Sequence, residues 1–283
     1  MTKACGKQRN VSLLVDVKEN KNTISIIRPI VAHKRGCMAS CVEERSYDNI
    51  VLNIPHVSVG GLGVAKWNNK VVLMKEVRKW TDWYTDVIFV PDDRPGVKSV
   101  IADYSRFVVD VERLLDDPMN EIGQGIIYTK FNGLQRTTSD EEQMGMMAYY
   151  YSYIKQLKSM LNEHSLLIDC HSFPSKLSDV DVCIGVNDDW SRPSEFLIEL
   201  VMEFFKQEGY RVELNTPYSH AIAPPMNFRY DSIMIELNKR IYLNEDTLEL
   251  LDSAGSLRSS LNTLYGILLR YNEELYSKNS DYF

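Results

Sequence analysis

The stretch SDEEQMGMMAYYYSYIKQLKSMLNEHSLLIDCHSF, residues 139–173, decides the fold class. It opens on Ser139-Asp140-Glu141-Glu142, a serine followed three residues later by glutamate, which is a helix-start signal. Apolar residues then recur at helical spacing, so a long helix is predicted from about Asp140 to His164. SLLIDCHSF follows at once, an apolar run whose last residues turn polar, and reads as a strand. The alternation extends outward on both sides. Upstream, NIVLNIP reads as a buried strand ending at Pro55-His56, residues from about Val71 to Tyr84 as helix, and about Val97 to Ile101 as strand. Downstream, VDVCIGV is a short strand, and residues 193–208 form an amphipathic helix carrying Phe196, Leu197, Leu200, Val201, Phe204 and Phe205, stopped by Gly209. YRVELN, SIMIEL and a helix from about Ser256 to Leu275 finish the chain. Helices alternating with strands predict an α/β fold, a three-layer sandwich with a mixed, largely parallel central sheet flanked by helices.

Composition fits that reading. The chain has 283 residues, 44% hydrophobic and 25% charged, as in a soluble globular protein. Thirty-two Lys plus Arg against 39 Asp plus Glu leave a net charge of −7, which argues against nucleic acid or anionic lipid as a partner. No apolar run approaches the roughly 18 residues of a transmembrane helix, and the polar MTKACGKQRN start lacks a secretory signal, so the expected location is the cytoplasm. One α/β domain is expected over residues 1–283. Within it, residues 1–45 form a β-rich extension in which SLLVDV and TISIIRPIV flank the polar turn KENKN as a hairpin, and residues 46–283 form the core. The five cysteines are odd in number and scattered. Cys37 and Cys41 lack a second pair and are read as free thiols rather than a structural zinc cluster.

Three strand ends carry polar groups: Pro55-His56-Val57-Ser58, Asp169-Cys170-His171-Ser172, and Glu236-Leu237-Asn238. If these strands are parallel, two histidines and a glutamate project from one sheet edge, where α/β sheets gather ligands. Imidazole nitrogens with a carboxylate oxygen and an open position suit a catalytic zinc; the competing reading is a pair of unrelated loop histidines. Thr81-Asp82-Trp83, placed on a helix, supplies a carboxylate that is either a third ligand or a cap, and Asp86, four residues on, competes with it. The glycines Gly60, Gly61 and Gly63 do not match a dinucleotide or Walker spacing, which sets nucleotide binding aside. In YSRFVVDVER the spacing of Arg106, Asp110 and Arg113 favours a surface helix laced by ion pairs, although two arginines near a metal would suit a carboxylate and an oxyanion.

Taken together, IPHVSVGG, TDW, YSRFVVDVER, DCHS and IELNKR, in that order over about residues 50–245, resemble the N-formylglutamate amidohydrolase family. That family is similar in fold to the zinc carboxypeptidases and aspartoacylases, a phosphorylase/hydrolase-like sandwich. The resemblance implies a Zn2+ cofactor held by His56, Asp82 and His171, with Glu236 as general base and Arg106 polarising the scissile carbonyl. It also implies that Arg113 holds the substrate carboxylate, with Asp110 orienting the arginines, while Asp169 and Ser172 flank the DCHS histidine as supporting groups and Ser172 lies at the substrate. The activity implied is zinc-dependent hydrolysis of a small anionic N-formyl or N-acyl amino acid by metal-activated water. The alternatives are a metallopeptidase or amidase acting on small peptides, or a zinc-binding homologue without turnover. One departure matters. The family's Asp-x-Asn-Arg string is Asp110-Val111-Glu112-Arg113 here, an anion that would repel a dicarboxylate unless Glu112 points away or pairs with a cation. His220, in the string NTPYSHAIAPPMN, is read as a loop histidine.

Overall fold

The computed structural model describes residues 11–19, 22–30 and 47–270. The chain divides into two compact units, Met1–Glu44 and Arg45–Phe283. In the first, β1 (Val11–Glu19) pairs antiparallel with β2 (Asn22–Ile30), Val11 opposite Ile30.

The second unit begins with β3 (Asn49–Ile54), α1 (Lys70–Trp80), α2 (Thr85–Phe89) and β4 (Val97–Ile101). A small ribbon of β5 (Lys130–Phe131) and β6 (Leu134–Gln135) precedes α3 (Asp140–Ser159), β7 (Ser165–Phe173) and β8 (Val182–Gly185). Then come α4 (Glu195–Gln207), β9 (Val212–Leu214), β10 (Asp231–Asn238), a second ribbon of β11 (Leu243–Asn244) and β12 (Glu249–Leu250), and α5 (Ser253–Arg270). Six strands form one mixed sheet in the order β4-β3-β7-β10-β8-β9. The first four run parallel, while β8 pairs antiparallel with β10 and parallel with β9. The fold is therefore the α/β sandwich expected, with a mostly parallel sheet flanked by helices.

Strands β3, β7 and β10 are buried along their whole length, as strands covered on both faces must be. On one face Val51 and Leu167 pack with Tyr153 and Leu157 of α3. The period of two leaves Ile50, Leu52, Leu166 and Ile168 for the opposite face. Helices α2 and α5 pack together against β3 and are pinned by Tyr265, whose hydroxyl donates to the Phe89 carbonyl at 2.9 Å. No helix among the described residues is long and apolar enough to cross a membrane.

Helix boundaries depart from the periodicity at three places. Helix α3 starts on the predicted capping box, Ser139 and Glu142 bonding each other's backbone, but stops at Ser159 rather than His164. There the Asn162 side chain captures the His164 N–H at 2.8 Å and the Ser165 hydroxyl at 3.0 Å, a local turn that competes with the helical ladder. The helix predicted over 71–84 is two helices. Between them Tyr84 adopts φ 62, the Asp82 N–H bonds the His56 carbonyl, and the Thr85 hydroxyl donates to the Asp82 carbonyl. The C-terminal helix begins at Ser253, and residues 271–275 of its predicted span lie outside the described residues.

The glycines after β3 serve packing. A Cβ on Gly60 would stand 2.0 Å from the Asp103 carbonyl oxygen, so the loop after His56 lies directly on backbone. Gly60→Ala is expected to destabilise the protein by about 1–3 kcal/mol, the usual range for overpacking against atoms that cannot yield. Equilibrium unfolding in urea measures this, and an unchanged midpoint would show that the loop moves freely.

Candidate active site

The parallel register brings the three strand ends together. Asn53 of β3 lies opposite Asp169 of β7, and Glu236 of β10 opposite His171. His56 follows β3 after Pro55, and the bond from the Asp82 N–H to the His56 carbonyl, 3.0 Å long, draws the α1–α2 break onto it. This is why Asp82 reaches the site while Asp86, inside α2, is in none of the clusters of potential metal ligands found among the described residues.

His56, Asp82 and His171 are all buried, and one donor atom from each lies within 4.8 Å of the others. Asp82 Oδ2 stands 3.1 Å from His171 Nδ1 and 3.7 Å from His56 Nδ1. His56 Nδ1 is buried without a hydrogen-bond partner, a costly condition that a metal would relieve. The opposite ring nitrogens face carboxylates. His56 Nε2 lies 2.8 Å from Asp110 Oδ1, and His171 Nε2 lies 3.0 Å from Asp169 Oδ1, although without hydrogen-bond alignment. Carboxylates beside both Nε2 atoms turn both Nδ1 atoms toward Asp82, which His171 Nδ1 hydrogen-bonds at 3.1 Å, and this is the arrangement that orients metal-binding histidines. Two other clusters, His56-Asp110-Glu112 and Glu112-Asp169-His171, use the Nε2 atoms and would sacrifice those carboxylate partners.

The supporting layer is itself tied down. Asp169 accepts from Asn53 Nδ2 at 2.7 Å and from the Ile222 N–H at 2.9 Å, and the Tyr153 hydroxyl donates to Asn53 Oδ1 at 2.7 Å. Burial would raise the Asp82 carboxyl, but bonds and charges from His171 and His56 outweigh it and hold the group well below the usual carboxylate range. Burial has the opposite outcome at Glu236. Its carboxyl is pushed up to about 8 by desolvation, which the attraction of His171 does not cancel, and its Oε2 has no hydrogen-bond partner.

Residues 103–111 do not form the surface helix that the spacing favoured. They are a looped segment whose Phe107, Val108 and Val109 enter the core, so Asp110 is buried and Arg106 partly buried. Asp110, with no exposed surface, also lies 3.6 Å from Arg113 Nε. It sits behind the cleft rather than on its wall, beneath His56 and between the two arginines.

The cleft itself encloses about 410 Å³ and is bordered by Asp82, Arg106, Arg113, His171, Ser172 and Glu236. Glu112 points into it, its Oε2 3.3 Å from His56 Nε2 and 4.0 Å from Arg106. An aromatic wall from Trp80, Tyr128, Phe131, Phe173 and Tyr218 went unseen in the sequence. Tyr128 and Phe131 belong to no periodic segment, and Tyr218 lies in the NTPYSHAIAPPMN loop. His220 in that loop is exposed, and its ring bonds the adjacent Ser219 hydroxyl. His33, Cys37 and Cys41 lie outside the described residues; Cys170 and Cys183 are buried free thiols.

The sequence profile of N-formylglutamate amidohydrolases matches residues 49–243, which span every strand end of this site. The chain belongs to the N-formylglutamate amidohydrolase family. Members are hydrolases of a non-peptide C–N amide bond, which implies a small substrate. Among solved structures, the N-formylglutamate amidohydrolase of Ralstonia eutropha JMP134 shares the fold, with a TM-score of 0.63 at 20% identity over 83% of this chain and 96% of that one. No curated protein sequence matches the chain.

Proposed function

We propose that this family member is a zinc-dependent amidohydrolase that removes the formyl or other small acyl group from an N-acyl amino acid. The observation that carries the proposal is the buried, unpartnered His56 Nδ1 facing the same space as His171 Nδ1 and Asp82 Oδ2. Two imidazoles and a carboxylate are a donor set that zinc accepts, and the site fits the ion. Zinc, when bound, supplies Lewis acidity that polarises a carbonyl and brings the pKa of water toward about 7.

The protein's own groups supply the rest. Asp110 and Asp169 hold the imidazoles with Nδ1 turned inward. Glu236, buried near the end of β10 and in register with His171, accepts a proton from water and delivers it to the departing amine nitrogen. The Arg106 guanidinium stabilises negative charge on the carbonyl oxygen, and Arg113 receives the carboxylate of the amino acid. The aromatic wall keeps bulk water from the reacting bond.

The test pairs metal analysis with formate release from N-formyl amino acids. Chelation is expected to remove about one zinc per chain together with all activity, and zinc to restore both. Full activity in metal-free protein would overturn the metal assignment. Stoichiometric zinc with no amide cleaved would leave a binding protein on this fold.

A further inference from the structure

We infer that the cleft accepts N-acyl amino acids bearing one carboxylate and an uncharged side chain, and that Glu112 excludes a second carboxylate. The inference deepens the deacylase reading and rests on it. It follows from matching each charge to its partner. The two ring nitrogens that face away from the Nδ1 cluster already have a carboxylate each, Asp110 at 2.8 Å and Asp169 at 3.0 Å. Arg106 and Arg113 are the guanidinium groups bordering the cleft among the described residues, and both are also engaged. Arg106 lies 3.3 Å from Asp110 Oδ2, and Arg113 lies 3.6 Å from the same oxygen and 3.5 Å from Asp117 Oδ2.

Glu112 adds a further carboxylate, at the edge of ion-pairing distance from Arg106, 4.0 Å, a guanidinium that Asp110 already holds at 3.3 Å. The Glu112 carboxylate stands 3.3 Å from His56 Nε2 and 3.6 Å from His171 Nε2, positions served by the other two carboxylates, and its side chain is 20% exposed to the cleft. A single ligand carboxylate can be met by Arg113, whose own partners are at the outer limit of ion pairing. A second one finds no further cationic side chain on the walls and adds to the negative charge that Glu112 brings to the cleft. The surfaces left for a side chain combine Trp80, Phe131, Phe173 and Met234 with the neutral amides of Gln124 and Asn132, which offer contact area and hydrogen bonds but no charge. Unlike N-formylglutamine, its neutral isostere, N-formylglutamate would therefore be repelled.

The experiment compares these two compounds, equal in shape and different in one charge. For the zinc-loaded protein, kcat/KM is expected to favour N-formylglutamine by on the order of 10- to 100-fold. Glu112→Gln is expected to bring that ratio toward one, whatever it does to the absolute rates. Calorimetric Kd values for the same pair on zinc-loaded Glu236→Gln protein should show the same preference. Equal or better handling of N-formylglutamate by the unaltered protein would overturn the inference, as would a ratio that Glu112→Gln leaves unchanged. If Glu112→Gln does not fold, Glu112→Ala replaces it, and if that fails too the ratio of the unaltered protein decides alone. Absence of turnover with both compounds defeats the deacylase reading, while the calorimetric ratio still decides charge selection. Absence of binding by either defeats both.

Discussion

Glu236→Gln is expected to lower kcat by about 10²- to 10⁴-fold, the span of a general base's contribution, while zinc content and fold stay intact. The residue lies near the C-terminal end of the central strand β10, in register with His171, and its Oε2 has no hydrogen-bond partner to lose. Glutamine keeps the shape and removes only the proton-accepting carboxylate. Stability supplies a control whose sign is fixed. In the metal-free protein the carboxyl is raised from 4.5 to about 8, chiefly by burial, so between those values the folded chain retains a proton that the unfolded chain has released. Folding stability contributed by that group therefore falls as pH rises through the window, and the glutamine variant should lose that part of the pH dependence. Steady-state rates at matched zinc occupancy test the role. A variant retaining more than about a tenth of the rate would assign the proton transfer elsewhere.

Removing Asp110 should have the largest structural effect. Its carboxylate has no exposed surface and holds His56 at 2.8 Å, Arg106 at 3.3 Å, Arg113 at 3.6 Å and the Glu112 N–H at 3.2 Å. Asp110→Ala leaves two guanidinium groups without their shared anion and one imidazole without its orienting acceptor. Breaking a buried pair from one side costs about 3–5 kcal/mol, which for a chain of this size lowers Tm by roughly 10 °C. Loss of the outer partner of a ligating histidine should also weaken zinc by about 10- to 100-fold. Asp110→Asn, which keeps an acceptor for His56 but not the charge, should fall between the two proteins in both measurements. Calorimetric unfolding and competitive zinc titration measure them. A Tm for Asp110→Ala within a degree or two of the parent would mean that the arginines find other anions, with Asp117 and Glu112 the nearest.

His56, His171 and Glu236 were legible because each closes an apolar run, and in a parallel sheet the ends of such runs fall on one edge. The capping box of α3, the strand limits at Val97–Ile101 and the stop at Gly209, with φ 91, were legible for the same kind of reason, being decided within a few residues of chain. Other features depend on partners far away in sequence. Asp82 was separated from Asp86 by a backbone bond to His56, 26 positions upstream, which breaks a helix that periodicity ran through. The Arg106–Asp110 spacing predicts an exposed ion pair because it is the same on a surface helix as in a buried loop; only the packing of Phe107 and Val109 tells them apart. The antiparallel entry of β8 beside β10 likewise has no local signature, since a short apolar strand reads the same in either direction. Local pattern determined which side chains could do chemistry. Tertiary packing decided which of them meet, because burial and charge balance are properties of the assembled site, and it is that balance that turns Glu112 from a departure in a motif into an anion facing the cleft.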